Sequence, residues 1–245
     1  MKKSTFILFV LIAACTAPPK SAQEIVDSAI QFSGTKKLEN ASASFTFRGI
    51  GYEYQIRNGQ YRYVRTQTDT TGNVIKDVLI NSELNRFINE EMVEITDEKK
   101  AAYTSSVNSV IYFAFLPMSL NDPAVIKEYV QEVKIKDKIY HKIKITFRAE
   151  GGGEDYEDVF YYWFDTDDYS MDYLAYSYNE EEGTGIRFRE AYNTRTIDGV
   201  KIQDYINFKP AIKGSIPLSE IDKAYIDGKL EKLSLIELED MKISL

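Results

Sequence analysis

The chain has little of what most enzymes and metalloproteins need: one cysteine, one histidine and one tryptophan in 245 residues. A lone cysteine cannot form a disulfide within the chain, and with a single histidine it leaves no donor set for an ordinary zinc site. Beyond a short apolar run near the start, no stretch approaches the roughly 20 apolar residues of a spanning helix. No Gly-x-Ser-x-Gly, His-Glu-x-x-His or phosphate-binding glycine loop occurs, and Gly151-Gly152-Gly153 lacks the Lys-Ser/Thr that a nucleotide loop needs. These absences argue against an enzyme: no catalytic residue, metal or cofactor is expected. There is no βαβ alternation, which disfavours a parallel α/β sheet, and no internal repeat. A formal charge of −8 disfavours binding to nucleic acid or to anionic lipid headgroups.

What is present begins with Met1-Lys2-Lys3, an apolar run from Phe6 to Ala14, and Cys15. Two lysines before a short hydrophobic stretch and small residues is the build of a secretory leader. Ile12-Ala13-Ala14-Cys15 resembles the lipobox of bacterial lipoproteins, in which a diacylglycerol is attached to the cysteine and cleavage leaves that residue first. Lipidation would also protect the only thiol from oxidation. One acyl chain anchors only marginally, whereas two or more hold a protein on a membrane. The expected organisation is a leader over 1–14, a lipidated Cys15 with a tether over 15–21, and one domain over 22–245. Because Thr16-Ala17-Pro18 lacks the aspartate of inner-membrane retention, the default location is the outer membrane, facing the periplasm.

Along the domain, Ser21 and Glu24 have capping-box spacing before an amphipathic helix over Ala22 to Phe32 that Gly34 can end. Alternating segments follow from Ala43 to Ile95, with Asn58-Gly59 as a two-residue hairpin turn. A helix is predicted from Asp97 to Phe115, stopped by Pro117. Its end is apolar nearly all round, so it must be covered on both sides, against the concave face of a sheet. Asn121-Asp122-Pro123 predicts a second helix through Val130. Strands resume at Lys134, run through to Phe208, and close with one over Leu230 to Leu238 after a short helical piece at Leu218 to Tyr225. The fold class is mainly β with helices (α+β): a large twisted antiparallel sheet or half-open barrel with helices over its concave face. The 18 tyrosines and 13 phenylalanines suit such a sheet.

Several residues could contact a ligand. His141 shares a strand face with Ile143 and Ile145, which fits either a packed residue or a ligand-contacting group. Arg187, Arg189 and Arg195 alternate on one strand, suited to gripping an anion or to pairing with Asp158, Asp172 or Asp204. Tyr161, Trp163 and Tyr176 belong to an aromatic concentration that either lines a pocket or simply fills a half-buried sheet. Asp165-Thr166-Asp167-Asp168 invites Ca²⁺ but lacks the glycine and distal glutamate of an EF-hand loop, and reads as a solvated turn.

The blocks Tyr103–Ala114, Leu120–Val125, Gly151–Asp155, Met171–Tyr176 and Arg187–Arg195 resemble an uncharacterised family of Bacteroidetes lipoproteins, some of which carry an aldolase name. Nothing here supplies the alternating barrel and Schiff-base lysine that aldolase chemistry uses. The order helix, strands, central helices, strands is similar to the lipoprotein-localisation carriers of the LolA-like fold, and that resemblance implies a cavity for acyl chains or lipoproteins. The expectation is a lipid-anchored binding protein with a cavity lined by Phe113, Phe115, Tyr161 and Trp163, and with Tyr176, His141, Arg187 and Arg189 as further ligand candidates. The alternative is an envelope assembly or interaction lipoprotein with no small-molecule ligand. A hydrolase using His141 and Glu154 is the weaker third reading.

Overall fold

The computed structural model describes residues 20–151, 156–180 and 183–245. The leader and Cys15 lie outside the described residues, as do Glu154 and Asp155. Helix α1 (Ala22–Ser33) begins at the predicted capping box: Glu24 N–H donates to Ser21 Oγ at 3.3 Å, and Ser21 N–H donates to Glu24 Oε2 at 2.7 Å. Such a cap contributes about 1 kcal/mol. Gly34 ends the helix at φ +70°, and a Cβ there would sit 2.2 Å from the carbonyl oxygen of Gly199. Two separate demands therefore converge on glycine: a left-handed backbone and a close approach to the turn at Asp198-Gly199.

Six strands follow as an antiparallel meander: β1 (Ser42–Phe47), β2 (Ile50–Arg57), β3 (Gln60–Thr68), β4 (Val74–Ile80), β5 (Glu83–Ile88) and β6 (Glu91–Val93). Asn58 and Gly59 both have positive φ, which joins β2 to β3 without splaying them. Helix α2 (Asp97–Ala114) crosses over, capped by Thr96. A second meander is built from β7 (Val125–Ile135), β8 (Lys138–Phe147), β9 (Val159–Asp165), β10 (Met171–Glu180), β11 (Gly183–Ile197) and β12 (Val200–Pro210). After α3 (Ile221–Ile226), β13 (Leu230–Ile236) and β14 (Glu239–Ser244) finish the chain.

The described strands make two seven-stranded antiparallel sheets, β14-β1-β2-β3-β4-β5-β6 and β13-β12-β11-β10-β9-β8-β7. Consecutive strands β13 and β14 edge different sheets, so the last segment ties the two together, while β6 and β7 remain the opposite edges. The result is an α+β fold that stays open rather than closing into a barrel, in line with the half-open arrangement expected.

Two local readings are corrected. Val125 to Val130 is strand, not helix: β7 pairs with β8 from Val125↔Phe147 to Ile135↔Lys138. Asn121 ends a short 3-10 helix (Met118–Asn121), Asp122 and Pro123 bend the chain into β7, and long-range pairing overrides the helix-start chemistry. The closing segment is two strands, because β14 finds its partner in β1, with Ser42 opposite Ser244.

Candidate functional site

The placement of α2 creates the site. On one side Tyr103, Val107 and Ile111 meet the first sheet, packing on Leu79, Leu84, Tyr54 and neighbours. A polar cluster fixes that side. Arg65 donates to Asp77 at 2.6 and 2.9 Å and to Ser106 Oγ at 2.7 Å, while Arg86 donates to Asp77 at 2.7 Å and lies 3.5 Å from the Tyr103 ring centre. The opposite side of α2 therefore faces the second sheet, and there it carries Ala101, Thr104, Ser105 and Asn108. Small residues at i, i+3, i+4 and i+7 cannot fill the gap to a facing sheet.

The gap is a cavity of about 1190 Å³, slightly above the range of about 300–1,000 Å³ typical of ligand sites. Its far wall is the inner face of the second sheet, with Phe147, Phe160, Tyr176, Arg189, Tyr205 and Asn207. The last turn of α2 closes one end. Val110, Ile111 and Ala114 go to the first sheet's core, while Tyr112 and Phe113 go to the second's, so the helix end is covered on both sides as predicted. The Tyr112 and Tyr162 hydroxyls lie 2.9 Å apart, and the Phe113 ring packs 5.2 Å from Tyr176.

Of the residues proposed from sequence, Phe113, Tyr176, Arg187 and Arg189 line this cavity. The expected grouping of Phe113 with Phe115, Tyr161 and Trp163 is corrected. Phe115 is buried in the first sheet's core between Phe45 and Tyr54. Tyr161 and Trp163 point to the outer face of the second sheet, because residues alternate along β9 and Phe160 and Tyr162 take the inner face. There Lys142, only 1 % exposed, donates to Asp222 at 2.9 Å and to the Ser219 carbonyl at 2.7 Å. Trp163 Nε1 donates to the same Asp222 carboxylate at 3.3 Å. This cluster holds α3 and its approach on the sheet.

His141 lies apart from the cavity, stacked on Tyr169 with the Tyr129 ring tilted against its imidazole. Burial holds its pKa below the usual value, against the pull of Glu132 3.8 Å away. The arginine row is broken. The β11–β12 register slips between Tyr192 and Arg195, so Arg195 comes opposite Ile202 and pairs with Asp204 at 3.1 Å. Asp165 pairs with Lys138 at 2.8 Å and accepts from the Asp167 N–H. Burial opposes its ionisation, but these contacts outweigh it and keep its pKa low. Among the described residues, no three of His, Cys, Asp and Glu converge to hold a metal ion.

Sequence reasoning missed Asn207, Tyr205 and the small-residue side of α2. The stripe Ala101, Thr104, Ser105, Asn108 was the available signal, since small polar residues on a covered helix leave space.

A model of the family described as "Family of unknown function (DUF6503)" matches residues 2–238. The chain belongs to this family. No curated protein matches the sequence. Among solved structures, this DUF6503 chain is similar to a LolA superfamily protein from Nitrosomonas europaea, at 12 % identity and a TM-score of 0.47, over 91 % of this chain and 94 % of that one. It is also similar to a DUF1329 family protein from Desulfovibrio piger, at 9 % identity and a TM-score of 0.44, over 91 % and 93 % of the two chains.

Proposed function

We propose that this DUF6503 protein is a lipid-anchored binding protein of the bacterial envelope that holds an acyl chain or similar apolar ligand between α2 and its second sheet. The observation that carries the reading is the cavity itself, with aromatic walls on one side and a helix face too small to fill it on the other. Apolar surface entering such a site leaves water at about 25 cal/mol per Å², and a few polar groups on the walls select the head of the ligand. Binding, not catalysis, is the proposed activity. Kinship with Bacteroidetes lipoproteins, lipid attachment at Cys15 and a periplasm-facing place on the outer membrane are parts of the same proposal, supported by the leader-like start and by Ile12-Ala13-Ala14-Cys15.

The test is native purification of the full chain from membranes, followed by lipid mass spectrometry. A stoichiometric acyl ligand is expected. Protein that carries none, and that takes up none when fatty acids or phospholipids are added, overturns the reading. In the same strain, Cys15→Ser should abolish incorporation of labelled fatty acid and leave the protein at precursor mass with its leader uncut.

A further inference from the structure

Two polar atoms on the cavity wall are buried without a hydrogen-bond partner, Arg189 Nε and Asn207 Oδ1. Their residues are 7 % and 6 % exposed, and they stand directly opposite each other on β11 and β12. Cross-strand partners have Cβ atoms about 4.5–5.5 Å apart, so the two side chains start from neighbouring points of the wall, Arg189 leaning toward Tyr176 and Asn207 toward Ser234. Both residues line the cavity between α2 and the second sheet.

Arg189 has no carboxylate partner among the described residues. It donates from Nη2 to the Tyr176 hydroxyl at 2.8 Å, and its guanidinium lies 4.0 Å from the Phe113 ring centre and 5.1 Å from that of Tyr176. Tyr162 and Tyr205 supply no compensating charge. Burial pushes Tyr162 far above its ordinary value and Tyr205 up to about 12. A guanidinium cannot shed its proton, and an uncompensated buried charge is costly. Asn207 is aimed by its surroundings: its Nδ2 donates to Ser234 Oγ at 3.3 Å, which leaves the carbonyl end free. The β12–β13 ladder slips beside it, leaving Leu233 of β13 unmatched between the Asn207–Ser234 and Phe208–Lys232 pairs.

We infer that Arg189 and Asn207 form a headgroup subsite for an acyl amphiphile whose head presents an anionic oxygen to Arg189 and a hydroxyl or amide N–H to Asn207. The inference rests on the cavity reading above and adds the chemistry of the head. A carboxylate or a phosphate can serve as the anion. With either one, the arginine gains the charge it lacks and the asparagine carbonyl gains a donor.

The test uses the full chain carrying Cys15→Ser, so that no attached lipid competes. Four probes with a common tail are titrated calorimetrically: hexadecanoate, 3-hydroxyhexadecanoate, hexadecyl phosphate and hexadecanol. At least one anionic probe should bind ten times or more tighter than hexadecanol, and the tighter anion identifies the source. The 3-hydroxy acid should exceed hexadecanoate by roughly fivefold, the worth of one ordinary hydrogen bond. Arg189→Gln should bring the ratio of anion to hexadecanol affinity down to about one, and Asn207→Leu should do the same for the ratio of 3-hydroxyhexadecanoate to hexadecanoate. Equal binding of anions and alcohol, or a preference that survives Arg189→Gln, overturns the subsite while leaving the apolar cavity standing. Failure of all four probes to bind removes the cavity reading and this proposal together. A second measurement guards against misfolding. Ligand-free Arg189→Met should melt no lower than its parent, because it deletes an unpaired buried charge; a fall of several degrees would instead mark Arg189 as structural and overturn the assignment.

Discussion

The two faces of the second sheet bury a cation each, and they finish the job differently. On the outer face, Lys142 meets Asp222, the Ser219 carbonyl and two aromatic rings, with Trp163 adding a donor to the same carboxylate. Lys142 and Asp222 complement each other there, and the face serves as the interior that seats α3. On the inner face, Arg189 is comparably buried but finds a hydroxyl and two ring faces in place of an acid. The same strands thus carry a completed polar cluster on one side and an incomplete one on the other. Position in the fold does not separate them. What does is the covering element: α3 brings Asp222, whereas α2 brings Ala101, Thr104, Ser105 and Asn108.

The sharpest way to break this comparison is to unpair the outer cation. Lys142→Ala leaves Asp222 buried with only the Trp163 N–H and local backbone for company, and breaking a buried ion pair from one side typically costs about 3–5 kcal/mol. Urea denaturation should show that loss in full, whereas Arg189→Met should show none. Equal losses at the two sites would mean that the inner arginine is as structurally engaged as the outer lysine.

A smaller effect on stability, with a large one on binding, is expected from closing the gap. Asn108→Phe puts a large side chain on the cavity side of α2 at a position where the two residues differ little in helix propensity. Affinity for a long-chain probe should fall at least tenfold while stability stays within about 1 kcal/mol of the parent. An unchanged affinity would place the ligand elsewhere and return the inner face to the status of an ordinary core.

The sequence made these faces only partly legible. Strand alternation, the Asn58-Gly59 turn, the Ser21 cap and the doubly covered end of α2 could be read, because each is written in neighbouring residues. The β7 strand could not, since Asp122-Pro123 carries the same chemistry for a turn as for a helix start, and pairing with β8 decided the outcome. The β14 strand depends on a partner about two hundred positions away. For the site, Arg189, Tyr176 and Phe113 were legible as candidates, but alternation alone does not say which face of β9 meets which helix. Trp163 and Tyr161 therefore looked like cavity residues until Lys142 and Asp222 showed what covers them.

His141 offers the finest test, because it is a half-buried basic side chain of this sheet with a different way out of the same difficulty. Its Nδ1 is buried without a hydrogen-bond partner, and burial lowers its pKa despite the opposing pull of Glu132. Unlike Arg189, it can lose its proton and be buried neutral. The unfolded chain takes up that proton near pH 6.5, while the folded chain does so only at lower pH. Below about pH 6.5 the unfolded state therefore binds more protons, and stability falls as the pH falls. His141→Gln should flatten that acid-side slope between neutral pH and the folded pKa, measured by thermal melts across pH, and should leave stability above pH 7 little changed. Arg189→Met should leave the slope intact, since arginine does not titrate there. A slope that persists in His141→Gln would assign the acid sensitivity to the carboxylates, and would remove the contrast between a buried base that discharges itself and one that must wait for a ligand.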